Sequence, residues 1–173
     1  MKSLAFQEKA ALLRRMKIRK DLNGLAKSFS YAFDGIKFCI KNERNIRIHI
    51  TAAFYVIAFS FFYNFTKAEY CLIFLTISSV IVTEMLNTAV ETLVDMVSPH
   101  YSGLAKIAKN IAAGAVFVSA IFALLVGFFL YFQPKVLLNI LNFLKNPFML
   151  LALIISLIIS AIFIFSGVKK TIK

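Results

Sequence analysis

Two cysteines, Cys39 and Cys71, are all the chain holds, too few for a disulfide framework or a cysteine-built zinc site. The six glycines, at positions 24, 35, 103, 114, 127 and 167, fit neither the phosphate-binding loop nor the dinucleotide fingerprint. Any nucleotide used here must therefore be held by lysine and by a metal on carboxylates. His49 and His100 lack metal-ligand spacing, and no cysteine–histidine nucleophile pair is apparent. Acids are scarce as well: there are eight Asp+Glu, and none follows Asp95.

What the 173 residues do have is apolar surface. The residues Ala, Val, Ile, Leu, Met, Phe, Trp, Tyr and Cys make up 60% of the chain, and the mean hydropathy is +0.80. A soluble domain is about 45–50% apolar even with glycine counted, so a soluble globular enzyme and a disordered chain are both excluded. Four runs approach the ~20 residues a helix needs to cross the bilayer core: 46–65, 70–97, 111–132 and 147–168. Pro147 suits the first turn of the last one. The first run starts too late, and lacks a small-residue cleavage site, for a signal peptide.

The 20 Lys+Arg give a formal net charge of +12, and 12 of them lie in residues 1–47. In a membrane protein such an excess marks cytoplasmic flanks, not nucleic acid. The N-terminus is accordingly expected in the cytoplasm. Four spans would return the C-terminus, with Lys169, Lys170 and Lys173, to the same side of the cytoplasmic (inner) membrane. Residues 1–21 read as a basic tail. In 22–44, Leu22, Leu25, Phe29, Ala32, Phe33, Ile36 and Ile40 recur at helical spacing with lysines between them. That pattern predicts an amphipathic helix lying in the membrane interface.

The second run carries Glu84, Asn87, Glu91 and Asp95, spaced 3, 4 and 4, within an arc of roughly 80° on one helix face. A carboxylate at mid-bilayer costs about 2.5–3.5 kcal/mol, while each Leu, Ile, Phe or Val returns about 0.3–0.6. One buried acid is tolerable and three at the centre are not. Glu84 is therefore expected about two turns inside, with Glu91 and Asp95 at the cytoplasmic water boundary. The deeper acid suits a general base, and the shallower ones suit a divalent cation. Read alone, Glu43 is a solvated helix-end charge. The same stripe also permits a second class of function, a small oligomeric proton or cation pathway lined by Glu84, Asn87 and Glu91. On the third run Ala108, Ala112, Ala115 and Ser119 stand at close-packing spacing, which predicts helix contact within the chain or between copies.

Three motifs resemble one family. They are Asn42-Glu43-Arg44-Asn45-Ile46-Arg47-Ile48-His49, then Glu84-x-x-Asn87-Thr88-Ala89-x-Glu91-x-x-x-Asp95, then Ala105-Lys106-x-Ala108-Lys109-x-x-Ala112-Ala113-Gly114-Ala115-Val116. Together, from about Ser28 to Phe132, they resemble the small bacterial membrane lipid kinases, the prokaryotic diacylglycerol and undecaprenol kinases. The resemblance implies an all-α membrane kinase unit over 22–132: an interfacial helix, three spans and a homotrimer. Its sites form between subunits and move the ATP γ-phosphate to a lipid hydroxyl with Mg²⁺. By position it implies Glu84 as base and Glu43 and Glu91 as metal ligands. Tyr31, Tyr101, Ser102, Lys109 and Asn110 become nucleotide contacts, and Asn45 and Arg47 line the lipid groove. Asn87 and Asp95 become supporting polar positions. His49 and the Lys106-x-Ala108-Lys109 turn look more like the undecaprenol kinases of Gram-positive type. Position 110 is Asn where the family usually has Asp, and Gly24 stands where some members carry an Arg. Residues 133–173, a linker and the extra helix 147–168, lie outside the resemblance. They carry no acid, and deletion of residues 134–173 is expected to leave turnover largely intact.

Overall fold

The computed structural model describes the backbone of residues 2–98 and 102–167, and the side chains of 20–98 and 102–167. It is all-helical: α1 Lys2–Asn42, α2 Arg44–Ser60, α3 Lys67–Val97, α4 Gly103–Tyr131, α5 Pro134–Leu144 and α6 Pro147–Phe165, with no strand among the described residues. Two units are distinguished, Met1–Phe38 and Cys39–Lys173.

The first unit is most of α1, which runs unbroken through the 21/22 boundary. Within it Leu22, Leu25, Phe29, Phe33 and Ile36 are exposed, so the apolar stripe is uncovered among the described residues of its unit and is suited to a membrane surface.

In the second unit α1 ends at Asn42, and Glu43 stands in extended backbone (φ −105°, ψ 119°) before α2 begins. This single non-helical residue redirects the chain from one helix to the next. At 17 residues, α2 is about 26 Å long, short of the ~30 Å hydrocarbon core. The sequence suggested apolar helix to residue 65. Instead the chain turns at 61–63, with Phe62 and Tyr63 amides donating to the Phe59 and Ser60 carbonyls. Tyr63 is buried there, its ring 5.0 Å from Phe65 and 4.9 Å from Tyr131. Its hydroxyl donates to the Tyr131 carbonyl, and the Tyr131 hydroxyl donates to Val56. This aromatic knot fits the rings favoured at a membrane boundary.

α3, α4 and α6 are the helices among the described residues that are long and apolar enough to cross a membrane. A capping box opens α3: the Thr66 hydroxyl accepts from the Glu69 amide, and the Glu69 carboxylate accepts from the Thr66 amide. The Ser102 hydroxyl accepts from the Ala105 amide at the start of α4. The linker after α4 holds α5, an 11-residue helix the sequence reading did not separate from its loop. Pro134 and Pro147 occupy the first turns of α5 and α6, where the missing amide is not needed.

α3 and α4 pair as an antiparallel hairpin, α2 packs against α3 and α6, and α5 packs against α6. Few of the described side chains are buried: among the apolar ones, Cys39, Ile46, Tyr63, Ile73, Val80 and Ile140. The outward faces of α4 and α6 expose Phe117, Phe122, Leu124, Phe129, Leu151 and Ile159. Helices apolar all round are stable where lipid, not water, is the surrounding medium. The buried polar set is different in kind, namely Arg47, Ser60, Glu84, Asn87 and Thr88.

Candidate active site

Helix α3 carries the acids into the bundle along one stripe, and burial falls from its Glu84 end to its Asp95 end. Glu84 is 2% exposed, Asn87 9% and Thr88 5%; Glu91 is half-buried and Asp95 is exposed. Seven residues of helix separate Glu84 from Glu91, a rise of about 10 Å. The Thr88 hydroxyl donates back to the Glu84 backbone carbonyl at 3.1 Å. Thr88 is thus a buried member of the stripe that sequence reasoning passed over. Its position one turn after Glu84 was the available signal.

Asn87 gains a definite part. Its amide nitrogen donates to a Glu91 carboxylate oxygen at 3.0 Å, one helical turn away, and so orients that acid. Its other side-chain atom, Oδ1, is buried without a hydrogen-bond partner. A buried carbonyl oxygen left unpaired is costly, which makes it a position that a ligand or cation would satisfy.

Glu43 joins this group from the α1–α2 junction. Burial, then the charges of Glu91 and Glu84, push its carboxyl above the ordinary 4.5, against a smaller downward pull from the Arg47 guanidinium. Glu43 thus feels both Glu91 and Glu84 on α3, which a lone solvated charge at residue 43 would not do. Cys39, buried one turn before Glu43, has its thiol pushed up by burial and then by Glu43 and Glu84.

Asp95 also acquires a partner. The Lys109 ammonium at the start of α4 donates to the Asp95 carboxylate across the α3–α4 hairpin. The pair lies toward solvent, so its energetic worth is small. Its use is geometric, since it keeps the Lys109 amine beside the exposed end of the stripe. Ser102 caps α4 a few residues away, while Asn110 and Asn45 are exposed. Tyr31 is 71% exposed on α1, within the other unit. Tyr101 lies outside the described residues. Arg47 is only 5% exposed and donates to the backbone carbonyls of Ile40 and Lys41.

Among the described residues, no three His, Cys, Asp or Glu side chains form a group that could hold a metal ion by themselves. A small hard cation does not require such a cage. Magnesium is commonly held by one or two carboxylates, with phosphate oxygens and water completing its shell. Glu43, Glu91 and the unpaired Asn87 oxygen are a donor set of that kind.

An apolar cavity of about 280 Å³ lies between α2, α3 and α4. Its wall includes His49, Ala53, Ile77, Val80 and Gly127. Val80 is one turn from Glu84, so the cavity approaches the deep end of the acid stripe.

The sequence model of the prokaryotic diacylglycerol kinase family matches residues 30–131. An undecaprenol kinase from Bacillus subtilis is 40% identical over 117 residues, covering 68% of this chain and 94% of that protein. A diacylglycerol kinase from a Synechocystis species is 40% identical over 108 residues, covering 62% of each. A diacylglycerol kinase from Haemophilus influenzae is 34% identical over 98 residues, covering 57% of this chain and 83% of that protein. The acid stripe, the Glu43 junction and Lys109 all fall inside the matched region; α5 and α6 fall outside it.

Proposed function

The chain belongs to the prokaryotic diacylglycerol kinase family and is a membrane lipid kinase, and from that premise we propose that it transfers the ATP γ-phosphate to the hydroxyl of undecaprenol, with diacylglycerol as the second candidate acceptor. The observation that carries the assignment of roles is the burial gradient along α3, from Glu84 at 2% exposure to Asp95 in solvent. The preference for undecaprenol rests on the Bacillus relative, 94% of which is covered, and on the His49 and Lys106–Lys109 features.

Glu84 is the base. It accepts the proton of the lipid hydroxyl as that oxygen bonds to the γ-phosphorus. The bond from the γ-phosphorus to the β-phosphate oxygen breaks, and ADP leaves. Phosphoryl transfer of this kind asks for positioning and charge neutralisation more than covalent chemistry. Bound Mg²⁺ would supply neutralisation of the phosphate charge, and Glu43, Glu91 and the Asn87 oxygen would hold it. Asn87 orients Glu91. Lys109, kept in place by Asp95, meets the phosphates with Ser102 and Asn110, and the resemblance adds Tyr31 and Tyr101 as nucleotide contacts. Asn45 and Arg47 belong to the lipid side, and the lipid chain runs into the cavity past Val80. With α2 and the 61–65 turn counted as a crossing beside α3, α4 and α6, we place the N- and C-termini in the cytoplasm, and the active form as a homotrimer with Ala108, Ala112, Ala115 and Ser119 at helix contacts. Identification of the product formed from ATP and an equimolar mixture of the two lipids in micelles tests the substrate. Undecaprenyl phosphate is the expected major product; phosphatidic acid alone would reverse the preference.

Two further results are expected. The first is a pH dependence of metal affinity. A carboxyl pushed upward takes up its proton earlier on acidification, and proton and metal compete for the same oxygens. Apparent Mg²⁺ affinity should therefore fall with falling pH in the range above the ordinary 4.5, where an unshifted carboxyl is still ionised. Glu43→Gln should bind Mg²⁺ more weakly and lose that step. A step that persists in the variant would assign it to another group. The second concerns the cavity. Gly127 lines it, and a side chain there meets nothing within 4 Å of its Cβ. Gly127→Phe should fill the space and raise the KM for lipid several-fold, with the KM for ATP unchanged. An unchanged lipid KM would move the lipid chain elsewhere.

A further inference from the structure

α6 lies outside the family match, yet it ends on a residue inside it. The Arg47 side chain donates from Nε to the Ile164 carbonyl at 3.0 Å, and from one terminal nitrogen to the Ile40 and Lys41 carbonyls at 2.9 and 3.2 Å. All three acceptors stand in the last turn of a helix, since α1 ends at Asn42 and α6 at Phe165. The last four carbonyls of a helix lack partners within it and carry the negative end of its dipole. A buried arginine with several donors can satisfy two such ends at once. Arg47 thus joins the end of α6 to the end of α1. Gly167, two residues past α6, lies so close that a Cβ there would overlap the guanidinium.

A second contact sets where α6 sits along α2. The Tyr55 hydroxyl shares hydrogen bonds with the hydroxyls of Ser156 at 2.8 Å and Ser160 at 3.0 Å, one turn apart on α6. Going from residue 47 to 55 on α2 matches going back from 164 to 160 and 156 on α6. Both contacts therefore obey a single antiparallel register. Between helices otherwise covered in exchangeable apolar groups, a slide of one turn, about 5.4 Å, would break the Arg47–Ile164 bond and leave Tyr55 with one of its two serines. Unpaired hydroxyls in an apolar medium are costly, so the register is held.

We propose that α6 is a positioning element of the kinase, which holds Arg47 at the lipid side of the site and so sets the affinity for the lipid alcohol. The proposal rests on the placement of Arg47 on that side. It refines the expectation for deletion of residues 134–173: turnover at saturating lipid is retained and the lipid KM rises. The test uses the full-length protein in mixed micelles with ATP, Mg²⁺ and undecaprenol or diacylglycerol, whichever is phosphorylated. Ser156→Ala with Ser160→Ala, and separately Gly167→Leu, should raise the lipid KM roughly two- to tenfold, the worth of a lost hydrogen bond, with the ATP KM and kcat unchanged. Ser156→Thr with Ser160→Thr keeps both hydroxyls and should stay near the parent value. Arg47→Lys is measured beside them. If it raises the lipid KM while the α6 variants, including the mild serine pair, do not, the positioning role is overturned and the site reading stands. If Arg47→Lys also leaves the lipid KM unchanged, both fall.

Discussion

Glu84→Gln is expected to lower turnover by about 10²–10⁴-fold, the usual worth of general acid–base catalysis, with little change in Mg²⁺–ATP affinity. The amide keeps the shape of a side chain that is 2% exposed and leaves the Thr88 bond to the backbone carbonyl intact. Loss of activity would then not be loss of fold. The electrostatics make the expectation more specific. The Glu84 charge contributes to the upward push on the Glu43 carboxyl. Removing it should let Glu43 ionise more readily and bind metal no worse than before. A variant that has lost turnover and equally lost ATP affinity would not fit a base. Measured turnover at saturating ATP and lipid, with the folded fraction checked by thermal unfolding in detergent, decides this.

Glu91→Gln should do the opposite. Its carboxylate faces the Asn87 amide at 3.0 Å, and the Gln oxygen can still accept that bond. What is lost is a charge for the cation. Loss of even an outer partner of a metal costs roughly 10–100-fold in affinity or activity, and loss of a direct ligand should cost at least as much. Apparent Mg²⁺ affinity should fall by that factor, ATP binding should weaken with it, and high Mg²⁺ should restore much of the rate. A rate that stays low at any Mg²⁺ concentration would mean that Glu91 acts on the reaction itself.

The acid stripe was legible in the sequence because a helix has a fixed period and because carboxylates in an apolar run have no ordinary packing use. Spacing placed Glu84, Asn87, Glu91 and Asp95 on one face, and the insertion cost put their order of depth in view. The partners were not legible. Asn87 to Glu91 is a local pair, but Asp95 to Lys109 crosses a hairpin, and Glu43 enters through a break in helix one residue long. Read alone, Glu43 is a solvated helix-end charge; the resemblance makes it a metal ligand, and its neighbours Glu84 and Glu91 explain why it belongs with them. Arg47 was least legible, because its acceptors are main-chain carbonyls more than a hundred residues apart along the chain, and carbonyls carry no sequence signal.

The elements outside the site divide in the same way. Hydropathy located α3, α4 and α6, whose length and composition are enough to be seen one at a time. It overran the end of α2, where the Tyr63–Phe65–Tyr131 knot turns the chain although every residue from Phe61 to Tyr63 is apolar. It merged α5 into a loop, because 11 residues cannot span and Pro134 reads equally as a helix start or a turn. The polar register between Tyr55 and the α6 serines depends on which faces meet, and that is settled by packing.

Two carboxylates two turns apart divide the labour of base and metal ligand, and the most direct measurement of that division is the Mg²⁺–ATP dissociation constant of Glu84→Gln and Glu91→Gln, side by side with turnover, in one micelle composition. The expected result is near-parental binding with collapsed turnover for Glu84→Gln, and weakened binding with turnover recovered at high Mg²⁺ for Glu91→Gln. Weakened binding in Glu84→Gln together with a pure turnover defect in Glu91→Gln would exchange base and metal ligand and contradict the account.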